Sequence, residues 1–107
     1  MANTYKNAKV DLTTTNATTV LTTPVGSTNI IKSMLVSEDS GNADTISLTI
    51  TDTDSAVFSL FKVKAVSANT TVELLTQPLV LQDSEILKAT AATANRLHLV
   101  VSYLEIS

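Results

Sequence analysis

Residues 45–51 read TISLTIT, with Ile46, Leu48 and Ile50 alternating against Thr45, Ser47, Thr49 and Thr51. A period of two is the mark of a strand with one face on an apolar core and the other toward water. Threonine suits such a strand, because its branched Cβ fits the pleat while its hydroxyl faces water or a cross-strand partner. The chain is rich in Thr, Ser and Asn, and helix is correspondingly disfavoured.

The same pattern extends outward in both directions. Ala8, Val10 and Leu12 alternate with Lys9 and Asp11, and Val72 and Leu74 with Thr71 and Glu73. Apolar or β-branched runs also occur at Val20–Thr23, Ile30–Val36, Val57–Val66, Leu79–Leu81, Ile86–Ala89 and Leu97–Ile106. Between them lie turn-forming stretches, SEDSGNAD, TDTDS, SANT, LQDSE and AATAN. LKATAATANRL admits a short helix, but its threonines favour a strand. About nine short strands at roughly ten-residue spacing, with turns too brief for crossover helices, predict an all-β, antiparallel fold. The expectation is a single β-sandwich of jelly-roll or immunoglobulin-like type spanning residues 1–107. Pro24 and Pro78 stand beside short apolar runs, as strand starts or edges allow.

Two runs switch phase. In Val57–Val66 the apolar set passes from Phe58 and Leu60 to Phe61, Val63 and Ala65, which predicts a bulge. In the closing LHLVVSYLEIS, Leu97, Leu99, Val101 and Tyr103 share one face before Leu104 and Ile106 take the other. This second switch marks either a corner where the strand changes sheets or a contact with another subunit. The terminal strand itself is expected in the core.

The 107 residues suffice for one domain, and 44% hydrophobic content supplies a core. Charged residues make up only 16%, against roughly 25% in an average domain. The net charge of −3 disfavours nucleic acid and anionic membrane surfaces as partners. No Sec-type leader pattern or membrane-spanning apolar run is present, so a soluble protein made without a leader is expected. Without cysteine, neither disulfides nor thiolate metal sites are available.

Chemistry-bearing residues are few. Gly26 and Gly41 are the only glycines, too few for a dinucleotide fingerprint and wrongly set for a Walker loop or nucleophile elbow. His98 is the sole histidine and reads as a partly exposed or hydrogen-bonded strand residue. Glu38, Asp39, Asp44, Asp52 and Asp54 offer hard oxygens, yet their spacing matches no calcium loop, and solvated turn carboxylates are expected. Paired-carboxylate glycosidase chemistry would want aromatic sugar platforms, and the chain has no Trp, two Tyr and two Phe. The NAT and NTT matches at Asn16 and Asn69 are short enough to arise by chance. Lys6 with Lys9, and Lys62 with Lys64, suggest a solvated face or a guarded edge. No catalytic, cofactor-binding or metal-ligating residue is assigned.

Four stretches, TYKNAKVDLTTTNATTV, KSMLVSEDSGNADTISLTITD, PLVLQDSEILKATA and LVVSYLEIS, together resemble the small β-sandwich virion proteins of tailed bacteriophages. The resemblance implies a non-enzymatic capsid decoration or cement subunit without cofactors, assembled in the host cytoplasm and carried in the virion. Its partners would be the major capsid protein or another virion protein, and further copies of itself. Neck, tail or fibre-attachment placement is the nearest alternative. A carbohydrate-binding or adhesion module, with calcium joining Asp39, Asp44, Asp52 and Asp54, is the alternative from another class. Residues 1–5, too polar for a core, read as an arm on a neighbouring subunit, with Asn3, Tyr5, Leu104 and Ile106 expected at an interface.

Overall fold

The runs of period two become strands because their alternate side chains have one apolar interior to enter. The computed structural model describes residues 3–107. Its strands are β1 (Asn3–Leu12), β2 (Thr18–Thr22), β3 (Thr28–Glu38), β4 (Asp44–Thr51), β5 (Val57–Val66), β6 (Thr71–Glu73), β7 (Leu79–Leu81), β8 (Ile86–Ala91) and β9 (Leu97–Ile106). All pair antiparallel. One sheet has the order β1-β9-β3-β6, with β7 also on β3, and the other has β2-β8-β4-β5. The result is an all-β domain of nine antiparallel strands in two sheets, consistent with a β-sandwich.

Leu12, Ile31, Met34, Val36, Leu97 and Leu99 from the first sheet are fully buried with Ile46, Leu48, Leu87 and Ala89 from the second. Each large aliphatic side chain so buried contributes about 1.5–3 kcal/mol. Among consecutive strands only β4 and β5 pair with each other, and every other connection except β6–β7 crosses between the sheets. Closing the core therefore needs contacts far apart in sequence.

The terminal strand is a core strand, as its sequence predicts. β9 lies between β1 and β3, pairing with both from Leu97 to Ile106. It does not change sheets, so the corner reading of its phase switch is corrected. Its register with β1 is unbroken, while the irregularity falls in β3, between Ile31 and Ser33. Leu97, Leu99, Val101 and Tyr103 point inward and are buried, which leaves Leu104 and Ile106 on the outer face.

β5 carries the predicted bulge: its register against β4 shifts twice, and Val63 adopts a positive φ of 54°. Ser47 Oγ accepts a bond from the Val63 amide at 3.0 Å, occupying a donor displaced from the regular ladder. Most of β5 is exposed despite its apolar content. It is the last strand of its sheet, and Val57, Phe58 and Val63 are exposed. The helix alternative for LKATAATANRL gives way to β8 and a turn whose Asn95 amide donates to the Leu12 carbonyl at 2.9 Å.

Candidate functional site

Directly opposed residues of an antiparallel pair share a face. The β1–β9 register sets Asn3 against Ile106, Tyr5 against Leu104, Lys9 against Val100 and Asp11 against His98. Across β9 and β3, Leu104 opposes Ile30 and Val100 opposes Leu35, and β7 then sets Val80 against Ile30. All these side chains stand on the outer face of the first sheet. Tyr5, Leu104, Ile30 and Val80 thus form an apolar row across four strands, with Tyr5 77% and Val80 50% exposed. Ile106 extends the row at one corner, and Val100 with Leu35 makes a second, shorter row farther along.

The four expected interface residues, Asn3, Tyr5, Leu104 and Ile106, therefore occupy adjoining positions on one face. Asn3 to Tyr5 belong to β1 and pair with β9 of the same chain, while residues 1 and 2 of the expected arm lie outside the described residues. Ile30 and Val80 were not legible as surface residues. The adjacent pair Ile30–Ile31 carries a faint signal, since neighbours on a strand must face opposite ways.

Beyond the apolar rows the face becomes charged. His98 Nε2 lies 3.3 Å from Asp11 Oδ1, and its Nδ1 lies 3.7 Å from Asp39 Oδ2. The ring is the partly exposed, partnered strand histidine that its setting predicts. A shallow groove of about 350 Å³ runs beside it, lined by Lys9, Val10, Asp11, Leu99 and Val100.

The remaining carboxylates do not converge. Contrary to the expectation of solvated turn residues, Glu38 is 1% exposed and Asp44 is buried. Glu38 takes amide hydrogen bonds from Ser40, Gly41, Asn42 and Asn69, together with one from the Ser40 hydroxyl. Burial pushes its pKa up, but these donors outweigh that and hold it at about 2. It thereby ties the β3–β4 turn to the segment before β6. Asp44 accepts from the Thr93 amide at 3.1 Å, and Asp52 caps its own turn through the amides of Asp54 and Ala56. Among the described residues, no cluster of three or more His, Asp or Glu side chains is placed to hold a metal ion.

Glu73 sits opposite Leu35 on β6. Its carboxylate bonds the Ser33 hydroxyl and accepts from the Met34 amide at 2.7 Å, beside the β3 irregularity. It supplies an acceptor where the ladder is interrupted.

The chain matches no protein-family model, and no curated protein sequence matches it significantly.

Proposed function

We propose that this chain is a non-enzymatic structural subunit of a tailed-bacteriophage virion: a capsid decoration protein that docks by the outer face of its five-stranded sheet. We read its two sheets as a closed sandwich of jelly-roll or immunoglobulin-like type, a rigid platform that presents this face. The observation that carries the reading is the row Tyr5, Leu104, Ile30 and Val80, aligned by strand register and exposed at both ends. Contiguous exposed apolar surface on a rigid sheet favours contact with another protein. Polar Asn3 and Thr28 flank the row at the Ile106 end, and serines follow at Ser33 and Ser102, giving the apolar centre and polar border typical of protein interfaces. The resemblance of the whole chain to small phage virion proteins supplies the partner: the major capsid protein or a neighbouring copy at symmetric sites.

Quantitative mass spectrometry of purified virions tests this, with the major capsid protein as internal reference. A fixed ratio near that of the shell subunit supports decoration. About a dozen copies or fewer place the chain in a neck or tail ring instead. Absence from the virion overturns the proposal.

A further inference from the structure

At one side of the domain β1 of the first sheet approaches β2 of the second; at the other, β5 and the β6–β7 segment flank a cavity. β5 ends its sheet, so no strand among the described residues pairs with its far edge. Its apolar side chains Val57, Phe58 and Val63 are 63%, 55% and 60% exposed. Beside it opens a cavity of about 460 Å³, with Phe61, Leu74, Leu75 and Pro78 as apolar wall and Lys64 at the side. Glu73 also lines this cavity, but its carboxylate is engaged by the Ser33 hydroxyl and the amides of Met34 and Leu75. Lys62 and Lys64 form no ion pair among the described residues, and β5 contains no acidic residue.

An exposed apolar edge is a template for strand addition. A second copy is a poor occupant, because each β5 edge carries Lys62 and Lys64 and no acidic residue, so a second β5 offers these lysines no opposite charge. The charge that discourages self-pairing favours an acidic strand. We infer that β5 and its cavity take up an extended acidic and apolar segment of another protein. The main chain of that segment adds to the free edge, an apolar side chain fills the space beside Phe61, and a carboxylate meets Lys64. This surface is distinct from the Tyr5 row, and the inference stands whether or not the virion reading does.

The test uses two labelled peptides of about eight residues, a strand's length, each alternating valine and threonine. One carries two central glutamates and the other two central lysines. Fluorescence anisotropy with the full chain should show the glutamate peptide binding at least about ten-fold more tightly, with Lys64→Glu reversing the preference and Tyr5→Glu leaving it unchanged. Amide shift mapping of the wild-type complex should centre on β5 and residues 73–79. Equal affinity for both peptides, no binding of either, or shifts centred on β1 would overturn the inference. So would a wild-type dimer in sedimentation equilibrium whose interface maps to β5, since that assigns the edge to a second copy.

Discussion

Tyr5 stands directly opposite Leu104 across β1 and β9, and 77% of its surface is open to solvent. A cross-strand pair of this kind contributes about 0.2–1 kcal/mol to folding. A large aromatic on a polar strand therefore adds little to the core, while at an interface the same ring is a strong anchor. Tyr5→Glu should change Tm by no more than a few degrees and, on the virion role proposed above, sharply lower the copy number of the chain in virions. Full incorporation of the variant would remove Tyr5 from the proposed docking face.

Glu38 predicts a pH dependence whose sign follows from its hydrogen bonds. Its folded pKa of about 2 lies below the ordinary 4.5. The stabilisation is therefore fully present above about pH 4.5 and is lost as pH falls toward 2. Urea denaturation of the wild type between pH 5 and about 2 should show stability declining through this window. Glu38→Gln should be less stable at pH 7 and show a shallower decline. Identical pH profiles for the two would mean that other carboxylates carry the effect.

Some of this was open to sequence reading and some was not, for physical reasons. Ile46, Leu48 and Ile50 declare their strand because burial on one face imposes a period of two. Leu104 and Ile106 likewise declare a second face of β9 by breaking phase. Nothing local separates Val57 and Phe58 from core residues, because their exposure depends on β5 being last in its sheet. Glu38 resembles any turn carboxylate until Asn69, from a distant loop, arrives to donate to it. Val80 becomes part of the exposed apolar row only through its pairing with Ile30.

Two turn residues test backbone conformation in opposite directions. Ser55 adopts φ 65° in the β4–β5 hairpin, where its amide donates to the Asp52 carbonyl at 3.0 Å. Glycine meets no Cβ penalty in that region, so Ser55→Gly should stabilise by roughly 0.5 kcal/mol. Gly26 has φ 82° in the turn closed by the Ser27 amide on the Pro24 carbonyl, and its own amide donates to Asp83 at 2.7 Å. A Cβ there would meet nothing within 4 Å, so any cost of Gly26→Ala is backbone strain, about 1 kcal/mol. Thermal denaturation of the two variants should shift Tm in opposite directions, and a common direction would contradict the turn geometry.

Leu99 and Leu104 allow one substitution to be compared on two faces of a single strand. Leu99 is fully buried and opposes Val36 across β9 and β3, whereas Leu104 lies on the outer face opposite Tyr5 and Ile30. Leu99→Ala should cost about 2–5 kcal/mol through lost burial and the cavity left behind. Leu104→Ala should cost less than about 1 kcal/mol in the isolated chain, because water can occupy the vacated surface. A one-residue slip of β9 would exchange the faces, making Leu104 the costly position and Leu99 the mild one. Urea denaturation of the two variants therefore reads the register directly. Equal losses at both sites would mean that the outer face is already covered in solution by another copy, and raising the protein concentration should then stabilise the wild type.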